Sequence, residues 1–355
     1  MLARAMDGTC LAELVRMAIP IFRAAQSQCP RAGPGRRPDF DDWKMAVLIM
    51  VAILKKRKSK SAQYRFLWEH RLPLHRWLEL DRFPARSTYF ERYPQARRLL
   101  APGIRRQGAQ AIREGLTTAR SVAVDKSLLS ARGRAGPGKR RKAKRPQPPG
   151  VDRQADWGFS PYHGWVYGYS YEVLTTADEG TVHLPWVASV DVASTSEYVT
   201  AGQKFKSLPP TTRFVLADGG YDSNALGEAV EWDEEGHRTG RRFLCPRNRR
   251  TGRGRPTSWR TSRKERQVQR RRWERIDFYE GPRGRKLYAQ RGQSVEPLHE
   301  RLKSLFEVNP HVWHRGLANN QTQLLAMIFC YQLLLRYNHA CGRRDAKVQW
   351  ILESL

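Results

Sequence analysis

Apolar positions first recur at helical spacing at Leu11, Leu14, Val15 and Ala18, one face of an amphipathic helix. From residue 39 to about 120 the helical pattern continues. DFDDWKMAVLIMVAILKKRK offers Asp41 or Asp42 as a cap and ends in Lys and Arg, which suits the helix dipole. SAQYRFLWEHR predicts a second helix, and Ser87 or Thr88 caps a third that would point Arg86 and Arg92 outward. A further helix ends near Leu116. The period then changes. SVAVDKSLL (121–129) alternates into Asp125 and predicts a short strand with a carboxylate at its end.

GWVYGYSYEVLTT (164–176) and TVHLPWVASVDV (181–192) predict two strands joined across ADEG as a hairpin. A helix over 196–207 follows, then the strand RFVLADGG ending in Asp218, and DSNALGEAV as a helix capped by Asp222 or Ser223. RRFLCPRN (241–248) is another strand. Residues 249–275 have a basic pattern that becomes helical after Ser262, and RKLYAQRGQ leads into the helix VEPLHERLKSLFEV. NNQTQLLAMIFCYQLLLRYNHA closes the chain as an apolar helix. Strands, helix, strand, helix, strand and closing helix, in that order, suit a ribonuclease H-like α/β mixed sheet behind a helical N-terminal region. The organisation expected is a helical region over 1–120, a sheet domain over 121–340 with a basic insert near 247–284, and a tail over 341–355.

Charge adds a partner. The 355 residues carry 64 Lys and Arg against 34 Asp and Glu, a net charge of +30 and a pI near 10.6. A solvated basic surface absorbs a few extra cations, but this excess suits a polyanion, whose counterions are released on binding. The unpatterned basic stretches 132–150 and 249–275 would make phosphate contacts, with Arg140, Arg141, Arg270, Arg271 and Arg272 as candidates. A membrane fits poorly. The longest apolar run, AVLIMVAIL, is far short of the roughly 18–20 residues a span needs, and Asp7, Glu13 and Arg16 spoil a secretory signal. The 5 cysteines form no CxxC pair and no zinc spacing, which suits a reducing cytoplasm.

The chemistry rests on three carboxylates. In FVLADGGYDS the pair Asp218–Gly219, taken alone, reads first as an ordinary turn. It gains weight from Asp125 at the end of another strand and from Glu296, which opens the helix that Ser294 would cap. Hard carboxylate oxygens suit Mg²⁺ or Mn²⁺, and two such ions serve phosphoryl transfer. Glycines 219 and 220 would let a metal and a DNA backbone approach. Helical spacing puts His299, Glu300 and Lys303 on one face with Glu296, leaving a plain Glu300–Lys303 ion pair as the ordinary alternative.

VAVDKS, ADGGYDS and YAQRGQSVEPLHERLK together resemble the DDE transposases of bacterial insertion sequences. The last segment is similar to their Tyr-Arg-Glu-Lys signature, at Tyr288, Arg291, Glu296 and Lys303. It has four residues between Arg291 and Glu296 where the commonest pattern has three. The resemblance implies a catalytic, metal-binding triad of Asp125, Asp218 and Glu296 holding two Mg²⁺ or Mn²⁺ ions. It also implies that Tyr288, Arg291 and Lys303 hold the transposon end. The implied protein acts in the bacterial cytoplasm on the nucleoid. It binds terminal inverted repeats, cuts them and joins them to target DNA. The implied assembly is a homodimer on double-stranded DNA, for which 1–24 and 321–337 offer apolar helix faces. A catalytically inactive or domesticated DNA-binding derivative and a stand-alone nuclease are the competing readings.

Overall fold

The computed structural model describes residues 10–29, 40–136, 149–248 and 262–355. Helix α1 (Cys10–Gln28) buries the face that Leu11, Leu14, Val15, Ala18 and Phe22 define. Helix α2 (Asp42–Leu54) is apolar on every side and buries every residue from Met45 to Leu54, as an all-round apolar helix must. Around it lie α3 (Lys60–Glu69), α4 (Arg71–Trp77), α5 (Arg86–Arg92) and α6 (Arg97–Arg113). Asp41 stands at the N-cap of α2 but its side chain accepts no capping bond, whereas Ser59 caps α3 through the N–H of Ala62. Arg92 turns inward, contrary to the pattern of its helix. It donates to the Phe40 carbonyl and pairs with Asp42, so its charge ties α5 to the start of α2.

Among the described residues the sheet has six strands: β1 (Ser121–Ser130), β2 (Asp156–Ser160), β3 (Gly164–Thr176), β4 (Pro185–Val192), β5 (Phe214–Leu216) and β6 (Arg242–Leu244). β1 runs antiparallel to β3 on one side and parallel to β5 on the other, and β5 runs parallel to β6. The order β4–β3–β1–β5–β6, with only β3 reversed against its neighbours, is the ribonuclease H-like arrangement. β3 is long enough to pair with β2 over its first five residues and with β4 over the rest. Gly168 marks the changeover. A Cβ there would fall 1.9 Å from the Leu129 carbonyl oxygen, so no side chain fits.

Helices α7 (Glu197–Phe205) and α8 (Asn224–Glu231) flank β5, and α9 (Arg263–Glu280) and α10 (Pro282–Leu305) follow β6. Ser262 and Glu265 cap α9 reciprocally, the hydroxyl accepting from the Glu265 N–H and the carboxylate accepting from the Ser262 N–H. Helix α10 corrects the sequence reading. It starts at Pro282, so Ser294 does not cap it; the Ser294 hydroxyl donates to the Arg291 carbonyl in mid-helix. Pro297 is tolerated inside, and one unbroken helix therefore carries Tyr288, Arg291, Glu296 and Lys303.

Helix α11 (Leu317–Ala340) runs through the core and buries all sides, and α12 (Gln349–Ser354) closes the chain. Its polar side chains are held from within. The Gln332 amide donates to the carbonyls of Ile104 and Pro185, and Arg336 pairs with Glu114 and donates to Gln107. Phe329 stacks on Phe22 of α1, ring centres 4.3 Å apart. The apolar faces of α1 and of 321–337 thus meet each other within one chain and are not open for a dimer. One core joins α1, α2 and α11 to Leu129, Tyr169 and Tyr171 of the sheet. Residue 120 marks a change of secondary structure but no gap in packing. No helix among the described residues is long and apolar enough to cross a membrane.

Candidate active site

The parallel register of β1 and β5 places the first two carboxylates. Ala123 pairs with Leu216, so two residues further along each strand stand Asp125 and Asp218. Asp125 lies inside β1 rather than at its end. It is exposed to the site because β5 stops at Leu216 and leaves that edge of β1 unpaired. Beyond β5 the chain makes a tight turn over Gly219–Tyr221, which Asp218 caps by accepting from the Gly220 N–H at 2.8 Å. The glycine pair makes the turn, and Gly220 also leaves room for two carboxylates. A Cβ on Gly220 would sit 2.9 Å from Asp218 Oδ1 and 2.9 Å from Glu197 Oε2.

Arg291 of α10 reaches between the two aspartates. Its Nη2 is 2.9 Å from Asp125 Oδ1 and 3.6 Å from Asp218 Oδ2. His299, two turns further on, brings Nε2 to 3.3 Å from Asp125 Oδ2, while its Nδ1 meets the Tyr171 hydroxyl at 3.0 Å. Burial opposes the charge on Asp125. The His299 ring and the Arg291 guanidinium outweigh it and hold the carboxyl below its ordinary value. Asp218 goes the other way. Burial raises it, Arg291 opposes, and the nearby Asp125 charge adds to the rise. The environment thus splits two like groups.

Three further side chains surround the pair without having been singled out by the sequence. Glu197 opens α7 beside Asp218; burial, then the Asp218 charge, pushes it up to about 7. Glu172 is buried in β3, where Lys204 at 2.7 Å and the hydroxyls of Thr200 and Tyr221 satisfy it. Lys126 donates to the carbonyls of Ala193 and Thr195. Position is the only signal that could have found them. Glu197 follows Ser196 as a first-turn acid, and Glu172 stands opposite Lys126 in the sheet.

Glu296 is exposed. Among the described residues no hydrogen bond or ion pair joins it to Asp125 or Asp218. At about 100° per residue it lies roughly 20° around α10 from Lys303 and about 140° from Arg291. Lys303 is close enough to Asp125 to feel its charge, although burial lowers its pKa overall. Glu296, His299, Glu300 and Lys303 do not share one environment as expected: His299 is buried against the sheet and Glu300 is exposed. Tyr288 packs edge-on against Tyr279 at 4.9 Å. Among the described residues no three His, Cys, Asp or Glu side chains are set to hold a metal ion. The aspartate pair nevertheless suits a hard cation. Its oxygens converge on one positive group, and no soft ligand intrudes, since Cys245 turns its thiol to the Asp218 carbonyl.

Of the basic candidates, Arg140 and Arg141 lie outside the described residues. Arg271 bonds Glu228 at 2.5 Å and stacks 3.7 Å over Trp232; Arg272 bonds Asp222 at 2.6 Å. Arg271 ties α9 to α8 and Arg272 ties it to the turn before α8, instead of standing free for phosphate. Arg270 is open to solvent, with Glu274 3.3 Å away.

Fold and site place the chain in the ribonuclease H-like class of α/β proteins. The family model described as transposase DDE domain matches residues 117–333, more than half of the chain, and the chain belongs to this transposase family. Among solved structures, the piggyBac transposase synaptic complex with hairpin DNA is similar at 12% identity and a TM-score of 0.42, over 97% of this chain and 78% of that one. No curated protein matches.

Proposed function

We propose that this transposase binds the terminal inverted repeats of its element, cuts them and joins the ends to target DNA by phosphoryl transfer at Asp125, Asp218 and Glu296. The observation that carries this reading is the β1–β5 register, which brings two carboxylates from distant parts of the chain together beside the helix that bears the third. Asp125 and Asp218, joined by Glu296, would hold two Mg²⁺ or Mn²⁺ ions. Bound metal would polarise the scissile phosphate and make a nucleophile of water or of a 3′-hydroxyl.

The chain's own residues prepare the site. Arg291 offsets the repulsion between the aspartates, and His299, fixed by the Tyr171 hydroxyl, orients Asp125. Lys303 and Tyr288 of the same helix would meet the DNA end, Lys303 as a point charge for phosphate. The site of action is then the bacterial nucleoid, with a homodimer bridging two ends.

The test is a duplex carrying the inverted repeats that flank the gene. Nicking should require Mg²⁺ or Mn²⁺ and stop with a chelator. Cleavage at full rate by Asp218→Ala protein would overturn the assignment of the triad.

A further inference from the structure

The β2–β3 hairpin carries a feature that the carboxylate site does not use. Phe159 pairs with Trp165 across the two strands, and Trp157 pairs with Tyr167. The first pair meets edge to face with ring centres 5.5 Å apart, and the second is tilted at 5.4 Å. Two aromatic cross-strand pairs, one above the other, form a ladder. Its outer end is bare: Phe159 is 55% exposed, Trp165 66%, and Tyr162 at the tip 88%. Large aromatics left in water near one another mark a surface meant to be covered.

Trp157, Trp165 and Tyr167 form one wall of an open cleft of about 340 Å³. The other walls bring Lys303, His163 and His311. Among the described residues no Asp or Glu lines it, in sharp contrast to the acidic site next door. The cleft also begins close to that site. Its lining includes β1 from Leu128 on, three positions past Asp125, and Lys303 is shared by both places.

From this geometry we infer that the cleft is a stacking site for unpaired nucleobases of the DNA strand at the active site, with Trp165, braced edge-on by Phe159, as the platform and Lys303 on the adjoining phosphate. The inference rests on the proposed function for the source of the strand. Flat π-faces receive any base, and among the described residues the lining offers Lys303 and no carboxylate, which matches a base beside its phosphate better than a neutral apolar segment. A hydrophobic peptide would leave Lys303 and the histidines unanswered. A paired duplex buries its base faces and has nothing to stack.

The experiment uses the full chain and three labelled probes: an oligothymidylate of about 12 nucleotides, an abasic strand of the same length, and a duplex. Binding is read by fluorescence anisotropy at fixed salt. The thymidylate should bind about tenfold tighter than the abasic strand, since each stacked base is worth roughly that much. Trp165→Ala should erase the difference, Trp165→Phe should keep most of it, and duplex affinity should stay within about twofold in both. Both side-chain changes are at an exposed position, so folding is not at stake. Equal binding of thymidylate and abasic strand by the wild type, or an unchanged preference in Trp165→Ala, would overturn the inference. So would a free wild-type dimer that Trp165→Ala splits into monomers, because the ladder would then belong to a second copy of the chain. A protein that shows Trp165-dependent base binding yet never cuts repeat-bearing duplex would instead overturn the proposed function and leave the stacking site standing.

Discussion

Arg291 is shared between two carboxylates of opposite tendency, and single substitutions around it separate their roles. Changing Asp125, Asp218 or Glu296 to Ala should abolish metal-dependent cleavage and leave duplex binding near the wild-type value in a gel-shift assay. If Glu300→Ala silences the protein and Glu296→Ala does not, the third carboxylate is one turn further along α10. Glu197 gives a prediction with a pH signature. Its pKa is raised from 4.5 to about 7, burial being the first cause and the Asp218 charge the second, with Lys126 opposing. A carboxyl raised in the folded state contributes stability below its unfolded pKa and loses it as pH rises through the folded value. Glu197→Gln should therefore match the wild type at pH 5 and exceed it at pH 8, by ~1–3 kcal/mol, in urea unfolding with chelator present. An equal gain at both pH values would show that the effect is not ionisation. Asp125 runs opposite. Its lowered pKa supports the fold above the ordinary carboxylate range, and that support fades as pH falls through the lowered value.

Helix α10 owes its placement to the corner it makes with α9. A Cβ on Gly284 would fall 2.0 Å from the Phe278 carbonyl oxygen and 2.8 Å from the Tyr279 Cα, both backbone atoms that cannot step aside. Gly284→Ala should open this corner, lower stability by ~2–3 kcal/mol and cut cleavage, although residue 284 contacts none of the three carboxylates. Wild-type melting and cleavage in Gly284→Ala would show that the corner yields freely. Helix α9 offers a contrast of neighbours. Arg271→Ala should destabilise the protein through the lost Glu228 pair and Trp232 stack. Arg270→Ala should leave melting unchanged and weaken binding to all duplexes alike, flattening the salt dependence by about one unit of slope.

These elements also show how far the sequence could be read. Helical periodicity made α1 plain, long apolar runs made α2 and α11 plain, an aromatic and β-branched run made β3 plain, and the strand order followed from their succession. The start of α10 was hidden because Ser294 followed by Glu296 and Pro297 imitates a helix N-terminus, while tertiary packing carries the helix through. The inward turn of Arg92 and the commitments of Arg271 and Arg272 were hidden too, since a basic residue looks the same in sequence whether it meets water, phosphate or a distant carboxylate. His299 lay in view without a role, because its partner Tyr171 is 128 positions away, Asp125 is farther still, and only the fold supplies such neighbours.

For the whole molecule, a net charge of +30 predicts reluctance to self-associate without DNA. The burial of the α1 and α11 faces in one core removes the obvious apolar route to a free dimer. Light scattering at physiological salt should find mostly monomer, shifting to two chains per two end duplexes when cognate DNA is added. A complex of one chain and one end that cuts at full rate would refute assembly as the gate to cleavage. The same core predicts that residues 1–120 cannot be detached cleanly. A fragment beginning at 121 would expose the face of α11 that packs on α1, α2 and α6, and should aggregate.

The guanidinium between Asp125 and Asp218 also has a meaning in time. It arrives 166 positions after Asp125, from a helix made late in synthesis. Until then a growing chain can pair β1 with β3 locally, but closing the parallel β1–β5 edge brings two like charges together with nothing between them. Long-range parallel pairing is slow on loop-closure grounds alone, and this repulsion delays it further. On the proposed function, a ribosome-bound chain would carry its basic charge well before it could assemble a cutting centre, and a truncated product that stops short of α10 would leave the chromosome beside it uncut.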